Sequence, residues 1–200
     1  MPRLSNAREQ IIDRARSLLT ERGFEGFSYR DISGFLGIKN AAVHYHFPSK
    51  ADLGLALVED FAAEMEEQMR QARATLAPRE QLEGYFAYET HYGSSLRLCP
   101  VSTLTTSWEG LSTEVRDALS RFWQGVVKFL TEVLEEGRES GEFRFVGEAA
   151  DKAQLLVAAM SGARQQSRLE GQNLVEKIAG QFRQELYRSR SDQPAAGVDI

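Results

Sequence analysis

Two histidines, a tyrosine, an asparagine and two lysines lie close together in the stretch KNAAVHYHFPSK, residues 39–50. Asn40, His44 and Tyr45 can donate hydrogen bonds to phosphates or to the edges of bases. Lys50 adds a positive charge at the start of the next predicted helix, where backbone N–H groups also attract anions. The stretch therefore has the chemistry of a surface that contacts a polyanion.

Two short helices are predicted to position these side chains. Ser28 begins a helix that ends at Gly37, and Asn40 caps a second one. Because a glycine-containing turn joins them and a supporting helix precedes them, the pattern predicts a helix-turn-helix unit. In such a unit the second helix enters the DNA major groove, and the small side chains of Ala41 and Ala42 would let its backbone approach the base edges.

Outside this stretch the sequence offers little for catalysis or metal binding. Cys99 is the single cysteine, and the histidines at 44 and 46, two apart on a helix, point away from each other. No acids, bases or nucleophile converge, so we predict no metal, no cofactor and no enzymatic activity. A helical protein-binding adaptor without DNA activity is the alternative, favoured only if the basic segment fails to bind duplex DNA.

The charges are distributed unevenly along the chain. The net charge is −5, but residues 1–50 hold eight lysines and arginines against five acidic residues, which leaves −8 on the remainder. Such a division suggests a small polyanion-binding module on an acidic body. We therefore predict a helix-turn-helix domain at 1–50, a larger helical body at 51–188 and a disordered tail at 189–200.

Helical periodicity extends through almost the whole sequence, and no segment reads convincingly as a strand. The predicted fold class is all-α, a three-helix head on a larger helical body, with about nine helices in total. The predicted helices span residues 6–23, 28–36, 40–47, 49–76, 79–92, 101–108, 112–141, 147–168 and 173–188. No apolar run long enough to span a membrane and no apolar signal region are present, so we expect a cytoplasmic protein without a membrane partner.

The segment SYRDISGFLGIKNAAVHYHFPSKADL, residues 28–53, resembles the DNA-binding segment of the TetR family of one-component transcriptional regulators. The resemblance covers roughly the first quarter of the chain, and it rests on the pairs Gly23-Phe24, Asp31-Ile32 and Gly37-Ile38 and on the run from His46 to Lys50. It implies an obligate homodimer on a double-stranded, pseudo-palindromic operator. Such a regulator is usually a repressor that a small-molecule effector releases.

The resemblance also implies which residues contact DNA. By their positions in the family, these are Ser28, Arg30, Lys39, Asn40, Ala41, Ala42, His44, Tyr45 and Lys50. One departure is that many family members carry a tyrosine near the middle of the recognition helix where this chain has His44, with Tyr45 at the next position. His44 is therefore a candidate to contact a base or a phosphate, whereas the plainer interpretation of Tyr45 is packing within the head.

Family architecture implies an effector cavity among the middle helices. Aromatic walls with a few polar tips suit such a cavity, and the candidate residues are Tyr85, Tyr88, His91, Tyr92, Cys99, Trp108, Trp123, Met160 and Arg164. If His91 and Arg164 both face inward, they favour an anionic or hydrogen-bonding ligand. An ordinary aromatic core is the plainer interpretation of the same residues.

Cys99 supports an alternative form of regulation. The stretch CPVSTLTTSWEGLSTEVR, residues 99–116, is similar to the segment after the fifth helix in a TetR subgroup that includes electrophile- and redox-responsive regulators. A thiolate there could be alkylated or oxidised to release the dimer from DNA. The plainer interpretation is a small, inert, buried side chain.

The last two predicted helices are the candidate dimerisation elements, packing against their symmetry mates as a four-helix bundle. Small or apolar side chains that could face that interface are Ala158, Ala159, Gly162, Ala163, Ile178 and Phe182. The alternative is that they pack within the subunit.

Overall fold

The computed structural model describes residues 7–94, 99–171 and 173–187, and gives the backbone alone for residues 92–94. Within these ranges the chain forms the helices α1 (Ala7–Arg22), α2 (Tyr29–Leu36), α3 (Asn40–His46), α4 (Lys50–Thr75), α5 (Pro78–Ser94), α6 (Pro100–Thr105), α7 (Thr113–Glu139), α8 (Ala149–Glu170) and α9 (Leu174–Leu186). The predicted all-α fold is confirmed. The predicted tail, residues 189–200, lies outside the described ranges.

The helices α1, α2 and α3 form a small head whose apolar core is continuous with that of the remaining helices. The buried side chains of this core recur at helical spacing and include Ile11, Leu18, Leu19, Ile32, Val43 and Phe47. Gly37 ends α2 with a φ of 66°, a left-handed conformation that glycine adopts without strain. The turn that follows places α3 across α2, so the predicted helix-turn-helix geometry is present.

Most predicted helix boundaries differ from the observed ones by one or two residues, and two of the differences change the local structure. Lys39 is the N-cap residue of α3 and Asn40 is its first helical residue, so the predicted cap is displaced by one position. The helix predicted at 101–108 ends at Thr105, and a separate 3-10 turn, Trp108–Gly110, follows it. At this end of α6 the hydroxyls of Thr105 and Thr106 donate to the backbone carbonyls of Val101 and Thr103.

Helix α4 connects the head to the rest of the chain and is held by ion pairs at its middle and near its C-terminal end. Arg16 of α1 lies 2.5 Å from Asp60 and 3.0 Å from Glu64 through its two terminal nitrogens. Arg73, near the other end of α4, donates to both carboxylate oxygens of Glu136 on α7, at 2.6 and 2.5 Å. Two-point arginine pairs of this kind fix orientation as well as distance.

The body consists of α5, α7, α8 and α9 packed against the second half of α4. Helix α7 supplies a buried stripe with spacings of three and four residues, comprising Val115, Leu119, Phe122, Val126, Leu130 and Val133. Beyond α7, the Phe143 ring stacks on Tyr187 with centroids 5.7 Å apart, and the same two residues form an antiparallel bridge. This contact fastens the turn between α7 and α8 to the end of α9.

None of the helices in the described ranges is both long and apolar enough to cross a membrane.

Candidate functional site

The side chains predicted to contact DNA lie on one face of the head. Seven of the nine are exposed to solvent, namely Ser28, Arg30, Lys39, Asn40, Ala41, His44 and Tyr45, whereas Ala42 and Lys50 are half-buried. Five of the nine also line one open depression where the start of α2, the face of α3 and the start of α4 meet. Those five are Ser28, Arg30, Asn40, His44 and Lys50.

Tyr29 holds this surface together and was not identified from the sequence. Its hydroxyl lies 2.9 Å from the Phe47 carbonyl oxygen and 2.5 Å from that of Ser49, so it ties α2 to the turn between α3 and α4. Burial and the nearby Asp52 carboxylate raise the pKa of Tyr29 to about 12, so the hydroxyl keeps the proton it donates. The sequence feature that could have identified Tyr29 is its position directly after the capping residue Ser28.

Two capping boxes organise the helix N-termini at the depression. The backbone N–H of Ser28 donates to Asp31 at 2.8 Å, and that of Ser49 donates to Asp52 at 2.8 Å. The hydrogen bonds from Ser28, with a further contribution from Arg22, hold the pKa of Asp31 below its ordinary value. The first turns of α2 and α4 are therefore fixed with their backbone N–H groups near the exposed surface.

Neighbouring side chains restrain Lys50, whereas Tyr45 is largely exposed to solvent. The Lys50 ammonium lies 4.8 Å from the centre of the Phe24 ring and 3.6 Å from a Glu25 carboxylate oxygen, so its position is restrained. An exposed ion pair such as that with Glu25 is weak and exchanges readily. Tyr45 is 83% exposed, and its ring contacts only that of His46 among the described aromatic pairs. It projects from α3 instead of packing into the head.

A second site is a cavity of about 170 Å³ among α4, α5, α7 and α8, which is open to solvent where Gln68, Leu76 and Gly84 are exposed. Its walls are mostly apolar and aromatic. The lining residues are Met65, Gln68, Met69, Ala72, Leu76, Gln81, Gly84, Tyr85, Tyr88, Glu89, Cys99, Phe122, Trp123, Val126, Phe129 and Arg164.

The structure brings five of the nine candidate effector residues to this cavity: Tyr85, Tyr88, Cys99, Trp123 and Arg164. Three others lie elsewhere, which corrects the expectation for each of them. Met160 is fully buried in the packing of α8, Trp108 lies at the surface on the 3-10 turn, and His91 is exposed near the end of α5. The side chain of Tyr92 lies outside the described part of the chain.

A buried ion pair crosses one end of the cavity. The side chains of Arg164 and Glu89 are 2% and 5% exposed, and Arg164 Nη1 lies 3.0 Å from Glu89 Oε2. The other terminal nitrogen of Arg164 donates to Ser102 Oγ at 3.2 Å. Glu89 was missed in the sequence, although it follows Tyr85 by four residues and therefore shares a face of α5 with it.

Burial affects the two charges of this pair differently. Burial raises the pKa of the Glu89 carboxyl, and the Arg164 charge and a hydrogen bond from Tyr85 offset only part of that increase. Burial works against the Arg164 charge as well, but Glu89 together with Cys99, Tyr85 and Tyr88 outweighs it, so the pKa of the guanidinium is raised. Arg164 therefore stays charged, and Glu89 is the member of the pair that accepts a proton more readily.

Cys99 is buried and is the N-cap residue of α6. It lines the same cavity as Arg164 and Glu89. A reagent bound in the cavity would therefore lie beside this thiol.

The candidate dimer residues divide between two environments. Ala158 is exposed, and Ala159, Gly162 and Ile178 are half-buried. Ala163 and Phe182 instead lie in the core of the subunit, where Phe182 stacks on Phe86 with centroids 6.5 Å apart, so their assignment to the interface is corrected. The exposed side chains of Leu155 and Leu169 extend the line of Ala158 and Gly162 along α8 at helical spacing.

A helix-turn-helix head with an exposed second helix, joined through one long helix to a helical body, defines a transcriptional regulator of the helix-turn-helix class. Residues 11–57 match the bacterial regulatory proteins of the tetR family, and residues 79–182 match the tetracyclin repressor-like C-terminal domain. The chain belongs to the TetR family of transcriptional regulators.

Individual relatives agree with this assignment. The transcriptional repressor NemR of Escherichia coli K12 is 24% identical over 169 residues, which cover 82% of this chain and 85% of NemR. The transcriptional regulator CymR of Pseudomonas putida is 33% identical over 73 residues, 36% of each chain. A TetR-family regulator from Agrobacterium tumefaciens superimposes with a TM-score of 0.85 at 29% identity, over 90% of this chain and 97% of that one. The reduced form of E. coli NemR shares the fold with a TM-score of 0.80 at 22% identity, over 92% and 98%.

Proposed function

We propose that the protein is a homodimeric repressor that binds a pseudo-palindromic operator and is released from it by a small molecule. The observation that carries the proposal is that one helix, α4, contributes its first turn to the exposed DNA-facing depression and its second half to the wall of the cavity. Repression is supported by the relatives, since NemR and the AcnR proteins of Corynebacterium are named as repressors.

Helix α3 is the element proposed to enter the major groove. The small side chains of Ala41 and Ala42 keep its N-terminal end close to the DNA, and His44 and Tyr45 on the next turn can reach bases or phosphates. Arg30 and the N-termini of α2 and α4 then face the flanking phosphates.

Dimerisation follows from the geometry of an operator with two half-sites. Two recognition helices must lie about 34 Å apart to enter successive major grooves on one face of the duplex. The exposed line on α8, from Leu155 through Ala158 and Gly162 to Leu169, is the surface proposed to meet its symmetry mate. Small side chains there permit close approach of the two helices.

The proposed release mechanism uses the ion pairs of α4. Arg73 fixes the cavity end of α4 to α7, and Arg16 fixes α1 to the middle of α4. A ligand that widens the cavity displaces Met65 and Met69 outward, and the head moves with the helix that carries them. The distance between the two recognition helices of the dimer would then no longer fit the operator.

The test is binding of the purified protein to the DNA upstream of its own gene across a salt series, with Tyr45→Ala as the variant. Tight, footprinted binding is expected, and the variant should lose about tenfold or more in affinity because a base or phosphate contact is removed. Trp108→Ala, a surface aromatic outside the head, is the matched control and should bind normally.

Three outcomes of this test separate the alternatives. Equal affinity in wild type and Tyr45→Ala would contradict the role of α3. Salt-sensitive binding without a footprint would indicate that the operator lies elsewhere in the genome. No binding to any duplex would favour a protein-binding adaptor.

A second candidate function is release by an electrophile or oxidant that reacts with Cys99. It is favoured by the position of the thiol at the cavity wall, in the electrostatic field of the Arg164 guanidinium. Operator release by electrophiles should then be lost in Cys99→Ser. Unchanged release in that variant would contradict the sensor role. Release by a non-covalently bound ligand would then remain as the proposal.

A further inference from the structure

We infer that the cavity binds a small aromatic acid whose carboxylate pairs with Arg164 while Glu89 takes up a proton. The inference rests on the proposed function and specifies the chemical class of its effector.

The size and lining of the cavity set the apolar part of the ligand. About 170 Å³ is available between the aromatic rings of Tyr85, Phe122 and Trp123 and the flexible thioethers of Met65 and Met69. An apolar cavity of roughly 150 Å³ holds a molecule the size of benzene. A single ring with a small substituent therefore fits.

The polar group of the ligand is inferred from two nitrogen atoms of Arg164 that have no hydrogen-bond acceptor among the described residues. Its Nε and Nη1 atoms are buried and form no hydrogen bond with any residue in the described ranges. Nη1 is close to Glu89 Oε2, at 3.0 Å, but the two groups are not aligned for a hydrogen bond. Buried donors without acceptors are costly, and a planar carboxylate is the group that matches a guanidinium best.

Charge balance then assigns a role to Glu89. A ligand carboxylate beside the Glu89 carboxylate would place two negative charges on one guanidinium. Since like charges in a buried site favour protonation of one of them, Glu89 becomes neutral when the ligand binds. Its pKa is already raised by burial, so this proton is taken up readily.

The other groups around Glu89 do not supply that proton balance. Helix α5 itself adds the hydroxyls of Tyr85 and Tyr88, the segment before α6 adds the Cys99 thiol, and α8 adds Arg164. The cavity faces of α4 and α7 contribute only uncharged side chains. Helix α9 brings Glu176 and Arg183 against α5, where they bond to Thr90 and Glu83. Burial raises the pKa of the Tyr85 hydroxyl and the pKa of Arg164 is raised as well, so both already hold their protons. Among the described groups, proton uptake on binding is therefore assigned to Glu89.

The test is isothermal titration calorimetry of the full chain with four single-ring probes, benzoate, benzamide, toluene and benzylamine, in the absence of DNA. Benzoate should bind most tightly, benzamide more weakly, and the benzylammonium cation should be excluded by Arg164. Repeating the benzoate titration in buffers of different ionisation enthalpy should show uptake of about one proton. Above the pKa of Glu89 the affinity should then fall about tenfold for each pH unit.

Glu89→Gln is the decisive variant, because it keeps the shape of the protonated carboxyl and removes the competing charge. It should bind benzoate about tenfold or more tightly than wild type at pH 7.5, equivalent to one pKa unit, and without proton uptake. Weaker binding in this variant, equal binding of benzoate and toluene, or binding of none of the four probes would overturn the inference.

The same titrations separate this inference from the repressor proposal. Since no DNA is present, failure of benzoate to bind leaves operator binding and its release by another effector intact. If benzoate binds as expected but never releases the operator, the ligand class stands and ligand-driven release is contradicted.

Discussion

The protonation of the buried Glu89 carboxyl would affect both the inferred ligand binding and the stability of the protein. The pKa of this carboxyl in the folded chain is raised, chiefly by burial. A carboxyl with a raised folded pKa favours folding in its protonated form. Its contribution to the free energy of unfolding is therefore full below the ordinary pKa of glutamate and is lost as the pH rises through the folded pKa.

Glu89→Gln should therefore become more stable relative to wild type as the pH rises. The neutral amide resembles the protonated carboxyl at every pH, whereas wild type loses stability above the ordinary glutamate pKa of about 4.3. Urea unfolding at a series of pH values from 4 to 8 measures the difference. Glu135→Gln, at an exposed position on α7, is the control, and parallel pH profiles for wild type and Glu89→Gln would contradict the prediction.

The sequence predicted some of these residues and not others for a physical reason. Ser49 and Asp52 could be read as a cap because their contact lies within one helical turn. Glu89 and Arg164 meet only through the packing of α5 against α8, and no local pattern records that packing. The aromatic residues at 85 and 123 have the same spacing whether they fill a core or line a cavity, so their role required the structure.

At the scale of a single element, α7 combines a predictable stripe with an unpredicted close approach. Val115, Leu119, Phe122, Val126 and Val133 recur at helical spacing and are buried, whereas Phe129, which has the same spacing, is half-buried and Leu130 is buried in its place. Gly137 was not identified, yet a side chain there would overlap the Phe143 ring. Phe143 has little freedom to move, because it stacks on Tyr187 and its N–H donates to the Gly137 carbonyl at 2.8 Å.

Gly137→Ala should destabilise the protein by about 1–3 kcal/mol, the usual cost of overpacking a closed site. Gly125→Ala is the matched control on the same helix, since a Cβ there meets no atom within 4 Å. The control should gain up to about 1 kcal/mol from helix propensity. Urea unfolding of both variants measures the difference, and an equal effect of the two substitutions would show that Phe143 yields without cost.

For the whole molecule, the exposed line on α8 carries the proposal of a dimer. The sequence indicated small residues there. It could not show that Ala158 and Gly162 lie toward the surface whereas Ala163 is buried, because these residues differ only in their angular position on the helix. The head was easier to predict, because its contacts are local and its capping residues are adjacent in sequence.

Ala158→Arg should shift the protein toward monomers and weaken operator binding together. A charge at a close helix contact repels its own symmetry copy and opposes close approach of the two helices. Sedimentation velocity and DNA titration on the same samples measure the two effects. Val146→Arg, at another exposed apolar position, is the control and should remain dimeric. A dimeric Ala158→Arg protein would place the interface elsewhere.

The length of α4 gives small movements at the cavity a large effect on the head. From Arg73 to Lys50 the helix extends about 35 Å, at about 1.5 Å per residue. If α4 pivots at its ion pair with Glu136, a tilt of about 5° moves the Lys50 end by about 3 Å, given that rise per residue. That displacement is close to the length of a hydrogen bond. In the proposed release mechanism, a ligand would therefore need only to part the cavity walls by a fraction of an atomic diameter to withdraw a side chain of the head from its partner on DNA.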